Sequence, residues 1–156
     1  MKKQYLPIVL FVVISMIGLF ACKKSSNNPA PSTPTLTGKS FYCKIDGTEF
    51  IPNGGGRYFK PNANIMQIVG DTTFQTMEIY ATSDAVGTYL LNDTVNMKFG
   101  SLYVNAGPKL YKSIEGELII TKSDGTKISG TFHYKAVGAS GTVNITDGEF
   151  NDIPKK

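Results

Sequence analysis

IEGELIITKSDGTKISGTFHYKA, residues 114–136, decides the fold class. Ser123-Asp124-Gly125-Thr126 at its centre is a turn signal, because Asp and Gly accept the backbone angles a reversal needs. Before the turn, Ile114, Leu118 and Ile120 share one parity and Glu115, Glu117 and Thr121 take the other. After it, Ile128, Phe132, Tyr134 and Ala136 read inward against Lys127, Ser129, Thr131, His133 and Lys135. A period of two on both arms of a turn predicts an antiparallel hairpin with one buried face.

The same alternation recurs on either side. Phe41, Cys43 and Ile45 share a face, and Asp46-Gly47 offers a two-residue turn into Thr48–Ile51. Met77, Ile79 and Ala81 form another inward set, and Val95, Met97 and Phe99 a further one. Val143 and Ile145 open a last strand, which Asp147-Gly148 is expected to turn into Glu149-Phe150. No window carries a helical period, and the 16 glycines together with many Thr, Tyr and Phe suit strands and tight turns. The expected fold is all-β: an antiparallel β-sandwich or flattened barrel of roughly eight to ten strands. The segment from Ile51 to Ala85 leaves open whether it holds two strands or three.

The N-terminus has a different composition. Residues 1–22 read MKKQYLPIVLFVVISMIGLFAC, with Lys2 and Lys3 ahead of an apolar run of 16 residues from Leu6 to Ala21. That run is short of the roughly 20 residues a spanning helix needs and has the layout of an export signal. Leu19-Phe20-Ala21-Cys22 resembles the lipobox of bacterial lipoproteins. The resemblance implies cleavage before Cys22, diacylglycerol on the Cys22 sulfur and acylation of the freed amine. Residues 23–36, KKSSNNPAPSTPTL, hold three prolines and one large apolar residue, which is the composition of an extended tether of roughly 40 Å reach. The expected division is therefore residues 1–21 as signal, 22–36 as lipidated cysteine and tether, and 37–156 as a single β domain. By the same resemblance, Lys23 in place of an aspartate favours the outer membrane. The lack of an acidic run after Cys22 favours a periplasm-facing position over a surface-exposed one.

The net charge of +4 is a property of the ends. Six of the 16 basic residues are Lys2, Lys3, Lys23, Lys24, Lys155 and Lys156, so the body sets ten basic residues against all 12 acidic ones. A nucleic-acid binder would concentrate positive charge on its folded surface, and that class is excluded as a partner.

GTYLL at 87–91, EGELIITKSDGTKISGTFHYKA at 115–136 and GTVNITDGEF at 141–150 together resemble a group of small Bacteroidota lipoproteins of unknown function. FYCKIDGTEF at 41–50 is similar to that group's first strand pair. The resembling segments cover about half of the mature body. They read as strand and turn chemistry, so the resemblance implies an envelope lipoprotein and carries no active site.

Residues able to do chemistry are few. His133 is the one histidine and reads outward, which rules out a His-His metal site, and no G-x-S-x-G elbow is present. Cys43 has no partner once Cys22 is acylated and reads as a buried core residue. Asn53-Gly54-Gly55-Gly56-Arg57 lacks the Lys-Ser/Thr and following helix of a phosphate cradle. The Asp-Gly pairs at 46, 124 and 147 lack calcium-loop spacing. Glu115 and Glu117 share a solvated strand face. The remaining handle is aromatic: Tyr42, Tyr58, Tyr80, Tyr89, Tyr103 and Tyr111 lie in or beside strands and could form a stacking platform for an envelope glycan or protein partner. Asp71-Thr72-Thr73 and Asp93-Thr94-Val95 resemble the O-glycosylation acceptor of Bacteroidota, which marks Thr72 and Thr94 as candidate sugar sites. No cofactor and no metal is expected. The leading expectation is a non-enzymatic, membrane-anchored binding or structural module. The alternative is a lipocalin-like small-ligand carrier, which needs an apolar void where Phe41, Phe99, Phe132 and Tyr134 look able to fill one.

Overall fold

The computed structural model describes residues 37–53, 57–62, 65–96, 98–104 and 109–156, although no side-chain surroundings are described for residues 57–62 or Tyr103. Ten strands follow in chain order: β1 (Phe41–Ile45), β2 (Thr48–Phe50), β3 (Arg57–Asn62), β4 (Ile65–Asp71), β5 (Gln75–Ala81), β6 (Gly87–Leu90), β7 (Phe99–Val104), β8 (Lys109–Ser123), β9 (Lys127–Gly138) and β10 (Gly141–Pro154). They join in one antiparallel sheet ordered β2-β1-β10-β9-β8-β7-β5-β4-β3, with β6 on the free stretch of β8. The all-β expectation holds, and the segment from Ile51 to Ala85 contains three strands.

The sheet curls into a half-barrel whose two arms meet across the concave side. Cys43 Sγ on β1 lies 3.8 Å from Met77 Sδ on β5. A Cβ placed on Gly70 of β4 would come within 3.1 Å of the Phe41 ring of β1. The Asn53 N–H, just past β2, donates to the Asp71 carbonyl at 3.0 Å. Apolar residues of alternate parity from both arms fill the space between, including Met66, Ile68, Met77, Ile79, Leu102, Leu118, Ile120, Ile145 and Ile153. Their removal from water is the main favourable term for the fold.

At the centre of this face aromatic rings lie opposite glycines. Phe132 on β9 pairs with Gly148 on β10, and Phe150 on β10 pairs with Gly130 on β9. A Cβ on Gly130 would clash with the Ile119 carbonyl oxygen and meet the Phe150 ring at 2.6 Å; one on Gly148 would meet the Phe132 ring at 2.6 Å. The Phe132 and Phe150 rings stack at 6.4 Å, and Phe41 closes on Phe132 at 5.5 Å. The glycines therefore provide the room into which their cross-strand phenylalanines lie down.

Three expectations fail at irregularities in the ladder. Asp147-Gly148 does not reverse the chain: β10 runs through it as one strand, with a register shift between Ile145 and Gly148 and φ of 53° at Asp147. Two residues there oppose one on β9, which is a β-bulge, and aspartate tolerates the left-handed backbone. A second shift lies between Phe150 and Ile153, with Asp152 at φ 47°. On β8, a shift between Ser113 and Glu115 reverses parity, so Tyr111 and Ser113 face in, Ile114 is half exposed, and Leu118 and Ile120 face in again. The third failure concerns residues 95–99. Asp93 bridges to Lys98 around a turn that leaves Val95 88% exposed at its tip, Met97 lies outside the described residues, and Phe99 opens β7 facing the convex side against Tyr80.

By contrast, Asp46-Gly47 is the expected two-residue turn, with φ of 47° and 84° and Ile45 paired to Thr48, a left-handed pair that suits the strand twist. Phe132→Ala should cost about 3–5 kcal/mol, and Gly130→Ala about 1–3 kcal/mol through overpacking. Urea unfolding at constant slope measures both.

Candidate functional site

His133 is exposed on the outer face of β9 opposite Glu117, as its parity predicts. Glu115 is exposed beside Lys135 at 3.7 Å, an ion pair of the solvent-screened kind. Among the described residues no group of three His, Cys, Asp or Glu could hold a metal ion, and no helix is long and apolar enough to cross a membrane.

Cys43 is fully buried, with the Met77 thioether as its sulfur neighbour. Burial, with a smaller contribution from Asp147, pushes its thiol well above the ordinary range, so the nucleophilic thiolate is suppressed. Cys22 lies outside the described residues, as do Gly54–Gly56 of the glycine-rich segment.

Tyr42, Tyr80, Tyr89 and Tyr111 do not form an exposed platform. Tyr111 is buried on the concave side, and Tyr89 packs against the core while its hydroxyl donates to the Ala85 carbonyl at 2.8 Å. Tyr42 and Tyr80 do face outward, but neither offers an open ring. Tyr42 is buried beneath Lys39, whose Nζ sits 4.5 Å from the ring centroid. Tyr80 stacks on Phe99 at 4.6 Å, and its hydroxyl donates to Glu78 at 2.7 Å while accepting from Gln67 at 2.9 Å. Burial first, then the Glu78 carboxylate, pushes the Tyr80 phenol up to about 12. Tyr58 lies in β3 and Tyr103 in β7, both outside the described side chains.

Thr72 and Thr94 differ in what their hydroxyls do. Thr72 Oγ1 accepts from the Gln75 N–H at 2.9 Å and donates to the Gln75 carbonyl at 3.2 Å, so it ties the β4–β5 turn together. Thr94 is exposed on the turn that Asp93 closes by accepting the Asn96 N–H at 3.1 Å. The side-chain bonds of that turn run between Asp93 and Asn96, and Thr94 is the more accessible of the two threonines.

Asp124 closes the β8–β9 hairpin. Its Oδ1 accepts from the Thr126 hydroxyl at 2.7 Å and from the Thr126 and Lys127 N–H groups at 2.9 and 2.7 Å. Those bonds, the hydroxyl's first, hold its carboxyl down at about 2.

Sequence reading missed one feature altogether. A turn at Asp147-Gly148 would start a returning strand at Glu149, but Glu149 is the one buried carboxylate among the described residues, on the outer face of β10 beside Tyr42. No local pattern marks it, because its cover comes from residues 112 positions earlier.

These features define the class of protein: a half-barrel of antiparallel strands whose concave side is packed with aromatic and aliphatic side chains. The chain belongs to the family described as Domain of unknown function (DUF6252), whose model matches residues 39–154. No curated protein and no solved structure matches the chain.

Two outcomes follow. A maleimide should leave Cys43 unmodified in the native protein at pH 8 and label it in urea, scored by peptide mass so that Cys22 is counted separately. A carboxyl held below its ordinary value stabilises the fold above pH 3.8 and loses that contribution as pH falls through about 2. Asp124→Ala should therefore lower the melting temperature at pH 7, and the gap to the wild type should close towards pH 2.

Proposed function

We propose that the chain is a lipid-anchored envelope protein whose half-barrel serves as a non-enzymatic binding or structural module. The observation that carries the anchor is the order of residues 2–22: Lys2-Lys3, the apolar run from Leu6 to Ala21, and Cys22 at its end. Each buried methylene of an acyl chain contributes about 0.8 kcal/mol, so two or three chains on Cys22 hold the protein on a bilayer with no spanning segment. The outer membrane, its periplasmic side and a Bacteroidota source belong to this reading, on the strength of the lipobox and lipoprotein resemblances.

The packed interior supports a module that acts through its surface. A lipocalin-like carrier needs a lined void, whereas Phe41, Phe50, Phe132, Phe150 and Tyr134 occupy the concave side in mutual contact. An envelope protein or glycan meets this protein on its outer face or loops, and Thr94 remains the better-placed candidate for a sugar.

In cells expressing the native gene, the protein should fractionate with membranes and carry a lipid mass that Cys22→Ala abolishes. A soluble, unmodified wild type would end the anchored reading.

A further inference from the structure

The chain enters the domain through a strap of four residues that closes over Glu149. This carboxylate faces the convex side of β10, where water would ordinarily hydrate it, yet only 1% of its surface is exposed. Its oxygens accept the Thr37 N–H at 2.9 and 3.0 Å, and the Thr37 hydroxyl also donates to Oε1. Two residues along β10, the Asn151 N–H donates to the Ser40 carbonyl at 3.0 Å and Asn151 Nδ2 to the Lys39 carbonyl at 2.8 Å. Lys39 Nζ lies over the Tyr42 ring and 3.9 Å from Glu49, which also accepts the Tyr42 hydroxyl at 3.2 Å. Residues 37–40 are thus held by β10 on one side and by the β1–β2 hairpin on the other, without being part of either.

Burying the carboxylate makes this contact costly as well as strong. The charge-assisted bonds from Thr37 are strong, but the buried carboxylate gives up hydration to make them, and among the described residues no ion pair compensates it. Lifting the strap returns that hydration, so the closed and open forms lie closer in energy than the number of bonds suggests.

We propose that Glu149 and Asn151 are a latch on the segment that leads back to Cys22. Closed, the latch ends the tether at Thr37. Open, it adds Thr37–Ser40 to the tether, about 13 Å of further reach at roughly 3.3 Å per extended residue. Control of the distance between domain and bilayer rests on the anchored reading above; the latch itself does not.

Limited trypsinolysis of the full-length protein in its membranes tests this, with fragment masses as the readout. Trypsin can cut after Lys23, Lys24 and Lys39, and the closed latch holds the Lys39 carbonyl. Wild type should be cut after Lys39 at least tenfold more slowly than after Lys24. Thr37→Pro, which removes the N–H donor at an exposed position, and Asn151→Ala should each speed the Lys39 cut at least tenfold. Cutting after Lys24 and the melting temperature should stay unchanged in Thr37→Pro. Equal rates after Lys24 and Lys39 in the wild type, or a Lys39 rate that Thr37→Pro leaves unchanged, would overturn the latch. A failed anchor shows separately, as a missing lipid mass on Cys22, and the digest reads the latch in either case.

Discussion

The rest of the structure depends on the reciprocal packing of phenylalanine over glycine between β9 and β10. Phe132 lies across Gly148 and Phe150 across Gly130, so two large rings fit side by side on adjacent strands at the centre of the sheet. The motif is repeated around them. Tyr134 pairs with Gly116 on β8 and also reaches over Gly100 on β7, its hydroxyl donating to the Ser101 carbonyl at 3.1 Å, while Tyr111 on β8 pairs with Gly138 on β9. Each such pair removes an aromatic ring from water and keeps it in contact, at a cost of backbone freedom that is largest for glycine. The glycines of the segments ISGTF and ITDGEF are thereby accounted for by packing.

Curvature is the second constraint, and the bulges supply it. Extra residues on β8 and β10 each bend their strand, and these two strands flank β9 on either side at the centre of the sheet. The two aspartates at left-handed backbone positions on β10 are each tied to a lysine, Asp147 to Lys44 on the neighbouring β1 and Asp152 to Lys122 on β8 across β9, both at 2.9 Å. Such exposed pairs contribute little stability on their own. Their place at the bulges is more informative: each fixes the carboxylate of the residue whose backbone is least at ease. Bending brings β4 and β5 beneath β1, and the concave side closes without the sheet completing a cylinder.

Parity reading succeeded wherever a strand kept its register. Ile128, Phe132, Tyr134 and Ala136 on β9, Met77, Ile79 and Ala81 on β5, and Phe41 and Cys43 on β1 all face the core as their alternation predicts. It failed at Ile114 and Phe99 for one reason. A bulge or a turn inserts a residue into the count, and the period of two continues on the opposite face. Asp-Gly is an ambiguous signal in this respect, since a hairpin and a bulge ask for the same left-handed backbone; Asp46-Gly47 became one and Asp147-Gly148 the other.

The sequence by itself determined the all-β class, the hairpins at 46–47 and 124–125, the outward His133 and the buried Cys43, because these depend on alternation and turn chemistry within a few residues. Tertiary structure alone decided the rest. Tyr42 and Tyr80 face outward, as alternation allows, and are nevertheless covered, by Lys39 and by Phe99. Glu149 carries no local signal of burial and is covered by Thr37, 112 positions earlier. Burial of an outward-facing side chain is set by whatever crosses above it, and contacts over a hundred residues apart leave no mark in local pattern.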